Sequence, residues 1–447
     1  MKKKLILLFI LLNNTLFAKS GKVYITGNVE NKTIENITVS HLNHRVLITA
    51  KLDDNGNFEM STKLEQGYYF LEYGRSTAYV YLFPKDKIYI SFDANNFEKT
   101  LNFTGTGSNR NNYLAIKSIE EKELTDNLEV FYKVDENRYL ENIQKVKNIH
   151  LKLLEEYNVE HFFKKIELKS LEYERLLSIK NFESNHKFYL GEEISTSENF
   201  KQPIKDLDIN NLKEYKNQPY YRYIVNSYWS KELDKADNID DMFKVLRRVP
   251  SQEIGITLIN GCFSKLSSDK GEMYLKFFRK VVTHKPFLEA AEKKFEESKS
   301  SKKNVKGVIS HKFSYEDNQG KIVSIDDFKG KYIYIDIWAT WCAPCIKQVP
   351  YLKKLEERYR DKNIVFISIS VDKEKKKKTW KNFIEKKELG GIQLFADNSF
   401  DSEFMNAYNV KSIPRFILID DKGKILDPEA PRPSFQKTIE LLDDILK

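Results

Sequence analysis

Lys331-Tyr332-Ile333-Tyr334-Ile335-Asp336-Ile337-Trp338-Ala339-Thr340-Trp341-Cys342-Ala343-Pro344-Cys345 decides the fold of the last third of the chain. Tyr332 to Ile337 reads as a buried strand, a short apolar run rich in β-branched and aromatic residues. Pro344 then falls just inside the start of a helix, where a missing N–H is harmless. Leu352, Leu355 and Tyr359 continue that helix at spacings of three and four. Cys342 is therefore expected at a helix N-terminus directly after a strand. The amide groups and dipole at such a terminus favour an anion, and the thiolate is the reactive form of cysteine. A free thiol of pKa ~8.5 is only about 3% ionised at pH 7, whereas one lowered to ~7 is about half ionised. Cys345, one turn later, is placed to attack a mixed disulfide formed on Cys342, but it needs a base. Asp336 is the candidate, the one charged residue in a run of Ile and Tyr. A lone buried carboxylate has a raised pKa, and such groups cluster at active sites. The alternative is an edge strand that turns Asp336 to solvent.

The pattern Asp-x-Trp-Ala-x-Trp-Cys-x-Pro-Cys resembles the thioredoxin superfamily position by position. Pro350 matches that family's helix proline. Ile413-Pro414-Arg415-Phe416 resembles its cis-proline loop. The resemblance implies that Trp341, Ile413 and Pro414 meet the substrate chain, the residue before the proline through its backbone. An added strand–helix–strand unit (Ile364 to Val371, about Lys376 to Lys386, and Gln393 to Phe395) is similar to the TlpA/ResA-type envelope reductases. So is the opening Gln319-Gly320-Lys321 turn with Ser324 to Lys331. Relatives of that type assist cytochrome c maturation or reduce other exported disulfides, which implies disulfide-bearing envelope clients and a membrane thiol donor. Two positions depart from the pattern. Gln348 stands where relatives often carry Glu, and Ser310-His311 where they often have Ala-Pro. Ala343-Pro344 offers no charge or donor to stabilise a reduced thiolate, which favours a reductase over an oxidase. A zinc site would need a second ligand pair near the CxxC. A peroxiredoxin would need a Thr three residues before its Cys, whereas Thr340 lies two before Cys342. No metal and no cofactor is expected beyond the redox-active cysteine pair.

The 447 residues are too many for one ordinary core, and 41% hydrophobic with 31% charged residues is a globular composition. The net charge of +9 is spread along the chain without a reading motif, which argues against nucleic-acid binding. Lys2 to Lys4, the apolar run Leu5 to Leu12 and Leu16-Phe17-Ala18 read as a signal peptide over residues 1–18. Asn13 and Asn14 interrupt the run before membrane-spanning length. Export to the periplasm or cell envelope follows. Of three cysteines, two form the CxxC, and the third, Cys262, reads as a buried small hydrophobe.

Residues 19–107 read as short alternating strands forming a small antiparallel β-sandwich, with Asp53-Asp54-Asn55-Gly56-Asn57 as a hairpin turn. Gly56-Asn57-Phe58, Gly67-Tyr68-Tyr69 and Phe83 to Ile88 resemble the β-rich module that precedes thioredoxin domains in many envelope proteins. Residues 108–300 show helical periodicity over Leu128 to Tyr157, Phe162 to Leu190 and Tyr220 to Leu246. Pro203, Pro219 and Pro250 punctuate these runs. The expected architecture is thus multidomain: an N-terminal β-sandwich, a central all-α region and a C-terminal α/β thioredoxin-like fold at 301–447. An exported ligand-binding protein whose redox domain is accessory is the competing reading, motivated by the large helical region.

Overall fold

The computed structural model describes residues 21–125, 127–301 and 306–447, side chains at 299–301 excepted. The expected signal peptide, residues 1–18, lies outside the described residues. The chain divides into two compact units. One holds residues 21–182, Ser195–Lys231 and Pro250–Thr257; the other holds Glu183–Ile194, Glu232–Val249 and Leu258–Lys447.

The first unit is β-rich at its start. Eight strands, β1 (Gly21–Glu30), β2 (Asn36–Ser40), β3 (Val46–Lys51), β4 (Asn57–Leu64), β5 (Gly67–Tyr73), β6 (Ser76–Leu82), β7 (Lys87–Asp93) and β8 (Asn102–Gly105), form two four-stranded sheets. Their orders are β4-β1-β7-β8 and β3-β2-β5-β6. Alternation dictates the faces: Val23, Ile25 and Val29 of β1 join Ile37 and Val39 of β2 in one apolar cluster shared by both sheets. Two details differ from the sequence expectation. The pair β1–β7 is parallel. These strands are not hairpin neighbours, since the chain visits the other sheet between them, so no tight turn imposes an antiparallel direction. The Asp53–Asn57 turn forms, with Asp53 Oδ1 accepting from the amides of Asn55 and Asn57 at 2.9 and 2.7 Å. It hands the chain from β3 in one sheet to β4 in the other, so it does not close a two-stranded hairpin.

Helices follow. Asp135 caps Glu136–Glu156 by accepting from the Arg138 amide. The periodic run from Tyr220 to Leu246 is two helices, Pro219–Asp234 and Ile239–Arg248, because Asn238 caps the second. Pro203 lies inside the short helix Glu198–Lys205, whereas Pro219 opens its helix and Pro250 follows one.

The second unit contains a seven-stranded mixed sheet of order β10-β9-β13-β12-β11-β14-β15. Its strands are β9 (Ser314–Asp317), β10 (Ile322–Ser324), β11 (Tyr332–Trp338), β12 (Ile364–Ser370), β13 (Ile392–Phe395), β14 (Arg415–Ile419) and β15 (Ile425–Asp427). The pairs β11–β12 and β12–β13 are parallel and β11–β14 is antiparallel. Period-two alternation along the central β11 splits the core. Ile333, Ile335 and Ile337 pack with Trp380 and Phe404. Tyr334, on the opposite face, packs with Leu352 and Leu355 of the helix Ala343–Arg358. Asp336 has the parity of Tyr334 and so faces that helix. Cys262 belongs to this unit and is buried, its thiol pushed up to about 12 by desolvation.

Candidate active site

The strand-to-helix junction is built as the spacing predicts. Cys342 is the N-cap of Ala343–Arg358, with Pro344 in the first turn and Pro350 inside the helix. The Cys342 amide donates to Ala339 O at 3.0 Å, and the Cys345 amide points at Cys342 Sγ at 3.2 Å. Cys342 and Cys345 are joined in a disulfide, their Cα atoms 5.2 Å apart, and both are buried. The loop before them is pinned from β12. Both the amide and the hydroxyl of Thr340 donate to the buried Asp372 carboxylate at 2.8 Å, and Ser370 Oγ donates to it at 2.9 Å. Trp341, next in line, is half exposed beside the Phe400 ring.

Asp336 lies on a central strand, not an edge, and is almost fully buried. It lines a cavity of about 10 Å³ together with Trp338, Cys345, Val349, Leu352, Lys353, Glu356, Ser368, Leu389, Gly390 and Gln393. That space suits a single water. The inner sulfur and the carboxyl thus share one small volume. Asp336 Oδ1 has no hydrogen-bond partner. Burial, and then the charge of Glu356, push its pKa up to about 8, with a Ser368 hydrogen bond opposing. A carboxyl so shifted can take a proton from a thiol near neutral pH, whereas an ordinary carboxylate is too weak a base.

The Ile413–Pro414 peptide is cis and directly precedes β14. Antiparallel pairing sets Arg415 opposite Ile337. Pro414 therefore stands at the sheet end where β11 delivers the chain to Cys342. Ile413 and Pro414 are part-exposed. The topology thus brings the motif and both loop residues to one end of the sheet, with Asp336 behind the cysteines.

A family model described as Redoxin matches residues 301–438. Over 135 residues, 30% of its length, the chain is 31% identical to the thiol-disulfide oxidoreductase ResA of Bacillus thuringiensis subsp. konkukian (strain 97-27) and spans 73% of that protein. The chain belongs to the TlpA/ResA-type thiol-disulfide oxidoreductases. These are members of the thioredoxin superfamily, and the protein is an oxidoreductase. It is also 35% identical over 116 residues to the thioredoxin-like protein YneN of Bacillus subtilis (strain 168), covering 26% of this chain and 65% of that one. A solution structure of a Bacteroides vulgatus protein described as a thiol-disulfide oxidoreductase is 51% identical, covers 30% of this chain and 86% of its own, and aligns with a TM-score of 0.28.

Two residues beside the site of this TlpA/ResA-type domain escape sequence reading. Asp372 follows a buried strand in the same way as many turn residues, and its link to Thr340 spans 32 positions. Glu356 looks like any charged residue of an amphipathic helix, yet it reaches the cavity behind Cys345. Burial pushes its pKa up to about 7, with Lys353 opposing. The departures from the family pattern are accommodated structurally. Gln348 is buried and accepts from the Ser434 amide at 3.1 Å, and Ser310 hydroxyl lies 2.7 Å from that of Tyr408. The run Lys373 to Lys378 is solvated, with Lys377 paired to Glu316 at 2.8 Å. Among the described residues no group of His, Cys, Asp and Glu could hold a metal, and no helix is long and apolar enough to cross a membrane.

Proposed function

We propose that the chain is an exported disulfide reductase acting on envelope proteins. Cys342 thiolate attacks a client disulfide and forms a mixed disulfide, releasing the first client sulfur as a thiolate that takes a proton from water. Asp336 then accepts the proton of Cys345. The Cys345 thiolate attacks Cys342 Sγ, the Cys342–client bond breaks, the second client sulfur leaves as a thiolate that takes a proton from water, and the client is released as a dithiol. The protein ends with the Cys342–Cys345 disulfide, two electrons poorer, and a dithiol donor at the membrane restores it. The observation that carries this reading is the small cavity shared by Asp336 and Cys345.

Trp341, Ile413 and Pro414 form the client contact in this scheme. Residues 1–18 direct export, and residues 19–107, as a β-sandwich module, with 108–300 select the client or hold the domain in place. Cytochrome c maturation is one setting that would supply such clients. The test is a full-length Cys345→Ser variant, which should retain envelope clients as mixed disulfides on Cys342. The reading fails if no client is retained, or if the measured potential lies near the oxidase end, about −120 mV.

A second reading, capture of a small ligand by the front unit with redox activity accessory, has one observation in its favour. A cavity of about 80 Å³ there is lined by Glu121, His150 and Glu174. A Cys342→Ser chain that keeps full biological activity would favour it.

A further inference from the structure

A base buried behind a disulfide must also lose its proton, and Asp336 is almost fully buried. Its strand is central, its free oxygen is unpartnered, and the cavity it faces is narrow, with room for about one water. Among the described residues, one ionisable acid lines both that cavity and the groove outside it. Glu356, about three turns beyond Cys345 on the same helix, lines the inner cavity and also an open groove of about 430 Å³. Lys353 and Gly390 line both spaces as well. Lys353 is held outward, its ammonium donating to Lys387 O at 2.8 Å. The seat of the Glu356 carboxylate is made by two glycines. A Cβ at Gly391 would stand 2.8 Å from Glu356 Oε1, and one at Gly390 would come closer still to Oε2. Any side chain at 390 would push the carboxylate away.

We propose that Glu356 is a positioning residue that relays the proton between Asp336 and solvent at each turnover. This rests on Asp336 being the base for Cys345. In the client-reducing direction Cys345 gives its proton to Asp336. The Asp336 carboxyl passes it through the single-water cavity to the Glu356 carboxylate, which releases it into the groove. When a dithiol donor reduces the Cys342–Cys345 disulfide, the proton travels inward along the same groups and ends on Cys345. No electrons move through Glu356. Burial raises the Glu356 carboxyl to about 7 and, with the charge of Glu356, the Asp336 carboxyl to about 8, so both can exchange a proton near neutral pH. The charged and titratable groups around it are Lys353, Glu357 and Cys345 on its own helix, Tyr359 and Arg360 just past the end of that helix, Asp336 on β11 and Glu388 from the segment before Gly390.

The test is single-turnover reduction of glutathione disulfide by the full-length reduced protein, with acid quench to resolve the Cys342–glutathione mixed disulfide. Glu356→Gln should slow its resolution about tenfold at pH 7 and move the inflection of the pH–rate profile downward, because a neutral amide no longer raises Asp336. Added imidazole, a small proton carrier, should restore the Glu356→Gln rate and leave Asp336→Asn slow. Gly390→Ala, which displaces the carboxylate without removing it, should slow resolution in the same way. Normal resolution in Asp336→Asn would overturn the base assignment itself. Slow resolution in Asp336→Asn with Glu356→Gln within twofold of wild type, and an unmoved inflection, would overturn the relay alone.

Discussion

Each unit buries a carboxylate, Glu167 in the first and Asp336 in the second, and the two are buried in opposite ways. In the first unit Glu167 is fully buried but surrounded by donors. Tyr68 hydroxyl donates to it, Tyr113 hydroxyl donates at 3.0 Å, and Lys117 ammonium at 2.9 Å. Lys117 also pairs with Glu174 at 2.8 Å. Burial pulls the Lys117 pKa down, Glu167 and Glu174 push it up, and the net result lies well above the usual range. In the second unit Asp336 has one oxygen without a partner, no ion pair, and the charge of Glu356 pushing its pKa up. A buried charge with its hydrogen bonds made is locked in one protonation state and serves architecture. A buried carboxyl left short of partners exchanges a proton near neutral pH and serves chemistry.

Substitutions should separate these roles. The largest expected effect on stability comes from the satisfied cluster. Glu167→Ala leaves Lys117 with Glu174 alone, strips two buried tyrosine hydroxyls of their acceptor, and should cost about 3–5 kcal/mol. Denaturant unfolding measures that loss, and disulfide reduction per folded molecule should stay within twofold of wild type. A loss of redox rate in the folded fraction would dissolve the distinction between the clusters.

Asp336→Asn should act in the reverse sense. The folded carboxyl has a pKa of about 8, above its ordinary value of ~3.9. The folded state therefore retains a proton that the unfolded state loses between those values, and its stability contribution, full below pH ~4, erodes as pH rises to about 8. A neutral amide escapes that erosion. At pH 8.5 the variant should be more stable than wild type by on the order of 3 kcal/mol, with little difference at pH 4. Urea melts at both pH values, in one redox state, check the sign; equal stability at pH 8.5 would mean that Asp336 is solvated. Client resolution at pH 7 should fall at least tenfold.

A smaller effect is expected where a buried acceptor has a fixed donor. Asp372→Ala removes the partner of the Thr340 amide and hydroxyl, and should destabilise the fold by about 1–3 kcal/mol. It should also loosen the Trp341 loop, read as a weaker apparent affinity for client with chemistry on Cys342 intact. Smallest of all, Gln348→Ala frees one amide, that of Ser434, and should cost about 1 kcal/mol. Gln348→Glu keeps the acceptor and should be near neutral in stability, while its added charge moves the pH profile of resolution upward.

Much of the second unit was legible in the residues. Strand β11, the helix starting after Cys342, the added strand–helix–strand unit and the Ile413-Pro414 loop fall within a residue or two of their expected places. Each rests on local signals: an apolar run, a proline in a first turn, a turn motif. Asp336 was found because a charge amid Ile and Tyr is a local anomaly. The first unit was legible in its alternation but not in its pairing. Nothing near Val23 or Ile88 states that β1 and β7 run parallel, or that the Asp53–Asn57 turn crosses between sheets, because strand partnership is a long-range choice.

Sequence by itself determined the chemistry available here: two thiols one turn apart at a helix N-terminus, and an acid in the strand before them. Periodicity and spacing are enough for that, since they act within a few residues. Only the tertiary structure decided what surrounds the acid. It set β11 in the middle of the sheet, placed Asp336 and Cys345 on one small cavity, and brought Glu356 and the Gly390–Gly391 seat to the other side of the same small space. A carboxyl's pKa depends on solvent access and on charges within a few ångströms, and chain separation says little about either.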